Sequence, residues 1–206
     1  MTEVVEIVVG STSAAWQAIG LSVTDDTADV GGIGLRFEPP TDGLPTGIVA
    51  WTLRGSPSQY SSIDGLATRY VDERAPVATS RVVDHSLGVV SFDHIVVMTS
   101  SLERSCGAIE SATAAPLKRI REVGPIRQGF HRLGALIVEV VETADVVSEC
   151  AAYWGFVFVV DDIHEAASQL GPALVSVPKA AVQPGRFIAS FRREAGLGFP
   201  VALMSR

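Results

Sequence analysis

The stretch from residue 93 to residue 142 constrains the fold of this 206-residue chain more than any other part of the sequence. It opens with an apolar run that follows a single histidine, His94, and this run predicts a β-strand. Ser100 and Glu103 then form a capping box ahead of apolar residues at helical spacing. A helix is therefore expected to begin near Ser101.

Three β-type segments follow this helix. Pro116 and Gly124 bracket the first, and alternating residue types mark the second, from Arg127 to Leu133. An aliphatic segment that contains one glutamate, Glu139, completes the set. The stretch thus predicts a βαβββ module with His94 on its first strand and Glu139 on its last.

The C-terminal part of the chain repeats this plan with variation. Residues 154–206 begin with an apolar strand, and Asp161 or Asp162 is placed to cap the helix that follows it. Gly171 marks the end of that helix. Three further strands are predicted, at residues 173–177, 186–193 and 200–204.

The N-terminal part predicts a third, degenerate module. Residues 1–54 contain an aliphatic strand, a short helix and a glycine-rich strand pair, and they end in a strand from Gly47 to Leu53. Residues 55–91 are rich in turn formers and predict a connector, which we interpret as a linker in preference to a lid. The paired modules, 92–142 and 154–206, then form one domain.

Composition excludes several classes of function. The formal net charge of −7 does not supply the basic face that nucleic acid requires. The first residues lack the pattern of a signal peptide, and no apolar run approaches the roughly 20 residues of a membrane span, so no membrane partner is expected. Two cysteines, Cys106 and Cys150, are too few for a disulfide framework. We expect a reduced, cytoplasmic, globular protein.

The segments described above resemble the vicinal oxygen chelate superfamily, which includes glyoxalases, bleomycin-resistance proteins and extradiol dioxygenases. Within it, the chain looks like an uncharacterised branch and unlike a true glyoxalase. The resemblance implies an α+β fold in which paired modules form a glyoxalase-like curved mixed sheet, a cup with its helices outside. It is carried by residues 93–97, 137–140, 185–197 and 200–203.

The resemblance also implies a candidate metal site. In metal-using members, each of two modules supplies one ligand from its first strand and a glutamate from its last. The middle module has both, His94 and Glu139, but the last has Gly155 and Ala202 at the matching positions. Glu6 aligns with His94 and is the candidate third ligand of one divalent ion, Mn, Zn, Ni or Fe. The alternative is that His94 is a strand-end residue hydrogen-bonded to its neighbours and that Glu139 pairs with a nearby arginine.

A group of arginines suggests a different ligand for the cup. Alternation along residues 186–193 places Arg186, Ser190 and Arg192 on one face, and Arg127 lies at the matching level of the middle module. Guanidinium groups suit carboxylate or phosphate, so these residues predict an anionic metabolite. The alternative is that the arginines pair with nearby glutamates at a rim.

Two functions from different classes remain open. The incomplete ligand set favours a protein that binds a small molecule without turnover, as resistance proteins and metabolite sensors do. The alternative is a divalent-metal-dependent isomerase, lyase or dioxygenase of the same superfamily. An odd number of modules also leaves one module without an internal partner, and exposed strand edges favour pairing, which predicts a homodimer that joins the first modules.

Overall fold

The computed structural model describes residues 1–40, 46–72 and 83–206. Within them the chain forms two mixed sheets that pack against each other. Residues 73–82 of the predicted connector lie outside this description. In the described part of the chain, no helix has the length and apolar character needed to cross a bilayer.

The N-terminal sheet has the strand order β2-β3-β1-β4-β6-β5. Its central strands, β1 and β4, are antiparallel, and each has a parallel neighbour, β3 beside β1 and β6 beside β4. A helix, α1, follows β1. The elements are β1 (Glu3–Gly10), α1 (Ser13–Ala18), β2 (Thr27–Val30), β3 (Ile33–Phe37), β4 (Gly47–Arg54), β5 (Ser62–Ile63) and β6 (Leu66–Val71).

The C-terminal sheet has the strand order β12-β13-β14-β11-β7-β10-β9-β8. Two βαβββ modules join through their antiparallel first strands, β7 and β11, and the last strand of each lies parallel to its first. The α+β fold with paired modules is confirmed. The elements are β7 (Val89–Thr99), α2 (Leu102–Thr113), β8 (Arg119–Val123), β9 (Ile126–Leu133), β10 (Leu136–Glu142), β11 (Ala152–Val160), α3 (Ile163–Leu170), β12 (Lys179–Ala180), β13 (Phe187–Ser190) and β14 (Val201–Ser205).

Side-chain caps fix the starts of the two longer helices. The Ser101 hydroxyl accepts the backbone N–H of Arg104 at the start of α2. The Asp162 carboxylate accepts the backbone N–H groups of His164 and Glu165 at the start of α3. Each cap satisfies amides that have no partner within the helix. Both predicted starts are confirmed.

The strand predicted at residues 173–177 is wrong. The amides of Leu174 and Val175 both donate to the carbonyl of Gly171, which folds this segment into a turn. Val175 forms an isolated bridge with Phe191, and the outer strand of this module is the short β12. Beyond the turn, the segment keeps two backbone hydrogen bonds to the strand region, from Arg192 N to the Leu174 carbonyl and from Ser176 N to the Ser190 carbonyl, but it does not form a continuous strand.

The sequence predicts β4 as the last strand of the N-terminal module, but β4 does not pair with β1 as the last strand of such a module would. A last strand is parallel to the first in both C-terminal modules, whereas β4 is antiparallel to β1 and β3 takes the parallel place. An aliphatic run has the same pattern in either direction, so its sequence does not reveal its neighbour.

The predicted connector, residues 55–91, contains two strands, β5 and β6. The division at 1–54 and 55–91 stays a prediction.

The two sheets share one apolar core. Trp16 of α1 packs against Phe37 of its own sheet and against Phe156, Phe158 and Phe199 of the C-terminal part, with ring centroids 5.3–6.4 Å apart. Aromatic contacts of this kind bury large apolar areas. The core occupies one face of the C-terminal sheet, which leaves the opposite, concave face as the cup.

Candidate functional site

A β-bulge in β7 aims two consecutive side chains into the cup. His94 pairs with Val157 of β11 and Phe92 pairs with Phe158, so Asp93 is an extra residue between them. A bulge of this type re-aims a side chain that would otherwise face the other side of the sheet. The Asp93 and His94 side chains therefore meet, with Asp93 Oδ2 2.7 Å from His94 Nδ1.

Asp93 also anchors an arginine from the other module. Arg186 donates from one terminal nitrogen to Asp93 Oδ1 at 2.6 Å and from Nε to the Ser205 carbonyl at 2.7 Å. Burial raises the pKa of Asp93, but the hydrogen bonds from His94 and Arg186 outweigh it and leave that pKa below its usual value. Asp93 is thus a charged acceptor that fixes the orientation of His94.

Glu139 of β10 lies on the other side of the His94 ring. Its Oε2 is 3.3 Å from His94 Nε2, and its Oε1 accepts from Gln128 Nε2 at 2.5 Å. Burial is the main cause that raises the pKa of Glu139. Because Asp93 accepts at Nδ1, a neutral His94 presents an Nε2 lone pair to this carboxylate oxygen. A proton or a cation is required between the two atoms.

Gln128 of β9 completes this group, and the sequence reasoning missed it. Its Oε1 is buried and has no hydrogen-bond partner among the described residues. A buried amide oxygen without a partner is costly, so its site suits a donor or a cation. The predicted alternation of β9 already placed Gln128 on one face with Phe130. The pairing of β9 with β10 shows that this face lines the cup.

Basic residues surround the mouth of the cup, and the sequence reasoning also missed them. Arg119 and Arg121 lie opposite Phe130 and Gln128 in the β8–β9 pair, so they share the cup face. The guanidinium of Arg119 stacks 4.8 Å from the centroid of the Phe130 ring. The tight turn between the two strands was a usable signal, because it fixes the register of the hairpin.

The two edges of the sheet curve towards each other across this mouth. Lys179 of β12 and the two arginines of β8 line the same cavity, of about 620 Å³, together with His94 and Glu139. Within residues 1–40, 46–72 and 83–206, none of Arg119, Arg121 and Lys179 forms an ion pair. The cavity therefore carries uncompensated positive charge above the His94 and Glu139 pair.

Glu6 does not join His94 and Glu139. Its carboxylate accepts from the Thr52 hydroxyl at 2.9 Å and pairs with Arg36 at 3.2 Å, both in the N-terminal sheet. The described residues contain no cluster of three or more His, Cys, Asp or Glu side chains arranged to hold a metal. The predicted set of His94, Glu139 and Glu6 is therefore not brought together, because β1 belongs to the other sheet.

Arg127 lies on the helix side of the sheet and not in the cup. It pairs with Glu103 of α2 at 2.7 Å and with Glu142 of β10 at 3.3 Å. Glu142 in turn accepts the backbone N–H of Leu102 at the start of α2. The expectation that Arg127 joins the other arginines around a ligand is wrong, since alternation along β9 points it away from them.

The remaining predicted residues divide between the cup and its outside. Arg192 donates to the Pro172 carbonyl at 2.9 Å and lines neither cavity of the cup. Ser190 lines a second cavity, of about 460 Å³, beside the first. Arg186 also lines neither cavity and is paired with Asp93.

The last module repeats the geometry of the middle one without its polar residues. Glu139 pairs with Val96, two residues after His94, and Ala202 pairs with Val157, two residues after Gly155. This register agrees with the alignment made from the sequence. A β-carbon on Gly155 would collide with the Pro200 carbonyl oxygen, so no ligand side chain fits there.

Comparison with known proteins bears on the fold. No family model and no curated protein matches the chain. A mutant of 4-hydroxymandelate synthase from Streptomyces coelicolor matches with a TM-score of 0.64 at 13% identity, covering 99% of this chain and 92% of that one. Methylmalonyl-CoA epimerase from Mycobacterium tuberculosis matches with a TM-score of 0.50 at 11% identity, covering 60% and 92% respectively.

The chain has the vicinal oxygen chelate fold. Both neighbours are members of that superfamily, and the resemblance seen in the sequence is confirmed at the level of the fold. At these identities a vicinal oxygen chelate fold does not assign a reaction, since one fold hosts many functions. The function must be argued from the cup itself.

Proposed function

We propose that the cup of the C-terminal sheet binds a small anionic molecule. The observation that carries the proposal is the group of three cations, Arg119, Arg121 and Lys179, that line one cavity without carboxylate partners in the described residues. Guanidinium groups bind carboxylate and phosphate through paired hydrogen bonds, and a cavity of about 620 Å³ suits a small ligand.

The acidic residues of the cup do not cancel this charge. Asp93 is neutralised by Arg186 at 2.6 Å. Glu139 is the other nearby carboxylate, and it offsets at most one of the three cations that line the cavity. An anion that enters the cup therefore meets a surplus of positive charge.

Calorimetric titration with malonate and with inorganic phosphate tests this proposal. Arg121→Gln should weaken binding of both probes at least about tenfold, because hydrogen bonds to charged groups are worth about 1.5–3 kcal/mol. The matched control is Arg69→Gln, which removes an arginine that already pairs with Glu38 in the N-terminal sheet. Binding that is absent, or equally weakened by both variants, contradicts the proposal.

A metal-dependent reaction in the same cup is the second candidate. The favouring observation is that His94 Nε2 and Glu139 Oε2 face each other at 3.3 Å beside the unpartnered oxygen of Gln128. These three atoms supply the minimum protein ligands of a catalytic divalent ion, Mn, Zn, Ni or Fe. When bound, such an ion would polarise a carbonyl oxygen. Asp93 would hold His94 in the tautomer that ligation needs.

Elemental analysis of protein purified without an affinity tag tests this candidate. Stoichiometric metal should be present, and His94→Ala, Glu139→Ala and Gln128→Ala should each lower it. Glu6→Ala should leave the metal content unchanged, since Glu6 binds Arg36 in the other sheet. If no metal is found and Mn, Zn, Ni or Fe causes no thermal shift, the anion-binding function stands alone.

The cytoplasmic location and the homodimer stay predictions. Because the predicted homodimer joins first modules, a second copy would add by strand pairing at the outermost strands of the N-terminal sheet, β2 and β5. Molar mass from light scattering measures whether it does.

A further inference from the structure

The cup has a second, apolar chamber next to its basic mouth. This chamber, of about 460 Å³, shares His94, Gln128 and Glu139 with the basic cavity. The three polar residues therefore lie where the two chambers meet. The wall beyond them is formed mainly by apolar side chains: Val96, Met98, Val141, Trp154, Val157 and Ala202.

The apolar wall includes the positions of the last module that correspond to the polar residues of the middle module. β11 has its own bulge, because Tyr153 pairs with Val97 and Gly155 pairs with Val96, which leaves Trp154 as the extra residue. This bulge matches the one in β7 position for position. Trp154 and Gly155 thus replace Asp93 and His94, and Ala202 replaces Glu139.

The replacement makes the cup two-sided. One half presents charged and polar groups, and the other presents a tryptophan, an alanine and a glycine at the same positions. Trp154 is 50% exposed, although tryptophan is usually well buried. A large aromatic side chain held at the wall of an open cavity offers an apolar contact for a ligand.

We infer that the ligand of this cup is an amphipathic anion. Its carboxylate or phosphate head binds Arg119, Arg121 and Lys179, and its alkyl or aromatic body lies in the apolar chamber against Trp154. The atoms between head and body then lie beside His94 and Glu139. The inference rests on the proposed function for the head and adds the class of the body.

A chain-length series tests the inference in the intact protein. Butyrate, hexanoate and octanoate are titrated by calorimetry, with 1-octanol as the uncharged match of octanoate. Each buried CH₂ is worth about 0.8 kcal/mol, so affinity should rise about fourfold for each added carbon and octanoate should bind at least about 100-fold tighter than butyrate. 1-Octanol should bind at least about tenfold more weakly than octanoate.

Matched variants separate the two halves of the ligand. Trp154→Ala should weaken octanoate about tenfold or more and leave butyrate within about twofold. The control Phe187→Ala removes another exposed aromatic residue, which contacts His164 of α3 outside the cup and should change neither affinity. Arg121→Gln should weaken both carboxylates alike. Because Trp154 is half exposed, its variant is expected to fold, and its melting temperature checks this.

The outcomes distinguish the inference from the proposed function. Equal affinity for butyrate and octanoate, with both lost in Arg121→Gln, overturns the inference and leaves anion binding intact. Equal affinity for octanoate and 1-octanol overturns the head assignment and the proposed function with it. If none of the three carboxylates binds, the head assignment and the proposed function are overturned as well. Chain-length dependence that survives Trp154→Ala overturns the assignment of the body to this chamber.

Discussion

The two sheets follow one plan but treat their charges differently. In each, a central antiparallel strand pair carries a parallel neighbour on either side. In the N-terminal sheet the charged residues pair with one another, Arg36 with Glu6 and Glu38, and Arg69 with Glu38. In the C-terminal cup, Arg121 and Lys179 have no such partner among the described residues. The two faces therefore differ in the pairing of their charges and not in their architecture. The C-terminal face is the candidate binding face, because its cations lack carboxylate partners among the described residues.

The two sheets also differ in size. The N-terminal sheet has six strands and the C-terminal sheet has eight. The cavity beside Glu38 and Arg69 has a volume of about 410 Å³, against about 620 Å³ for the basic cavity of the cup.

The largest expected effect tests whether the two sheets fold as one unit. Trp16→Ala should lower the free energy of unfolding by about 3–5 kcal/mol, because Trp16 fills the core between the sheets. Urea unfolding followed by circular dichroism should show one cooperative transition. Trp154→Ala, at an exposed site, is the control and should cost far less. Two separate transitions would contradict the shared core.

A smaller effect compares two carboxylates, one on a central strand of each sheet. Asp93→Asn should lower the free energy of unfolding by about 1–3 kcal/mol, because Asp93 is only 9% exposed and holds Arg186 and His94. Glu6→Gln should cost about 1 kcal/mol or less, since its partner Arg36 is 36% exposed and the pair is partly screened by solvent. Equal losses in the two variants would show that burial does not separate these sites.

The smallest effect concerns paired and unpaired arginines. Arg69→Gln should lower the free energy of unfolding by less than about 1 kcal/mol, because the Arg69–Glu38 pair is largely exposed. Arg121→Gln should cause no loss, since it removes a cation without a carboxylate partner from a basic cavity. Thermal unfolding at low salt measures both. A loss in Arg121→Gln that exceeds the loss in Arg69→Gln would reverse the comparison.

The pH dependence of the Arg69 effect has a defined sign. The hydrogen bond from Arg69 is the main cause that lowers the pKa of Glu38 in the folded state. The stabilisation is therefore present above the unfolded pKa of glutamate, about 4.3, and is lost as the pH falls through the lower folded value. The difference between the wild type and Arg69→Gln should shrink below about pH 4 and persist at pH 7. Thermal scans at both pH values check this.

Much of the C-terminal architecture could be predicted from local patterns. The start of α2 near Ser101 was predicted, although the cap is Ser101 and not the expected Ser100, whose hydroxyl donates to the Ser148 carbonyl. Aliphatic runs marked β7, β10, β11 and β14. These signals are local because a cap satisfies its own helix and alternation reflects burial of a single strand. The pairing partner of β4 has no local signature, so the sequence did not reveal its place in the N-terminal sheet.

The candidate site was predicted only in part. His94 and Glu139 stood out because both are polar residues in aliphatic strands, and the structure brings them within 3.3 Å. Arg127 and Arg192 looked equivalent to Arg121 in the sequence, because all three are arginines on or next to predicted strands. Whether each arginine meets a carboxylate depends on which face of the sheet it occupies and on which strand lies beside its own. That information is absent from residue type and spacing.

The sequence by itself determined the two C-terminal modules, their order and the two residues that mark the polar half of the cup. Local hydrogen bonding and burial periodicity encode these features within a few consecutive residues. Only the tertiary structure decided that Glu6 belongs to another sheet and that bulges turn Asp93 and Trp154 towards the cup. It also decided that three cations face the cup without a carboxylate partner in the part of the chain that the structure describes. Each of these depends on which strands lie side by side, and strand pairing joins residues that are far apart along the chain.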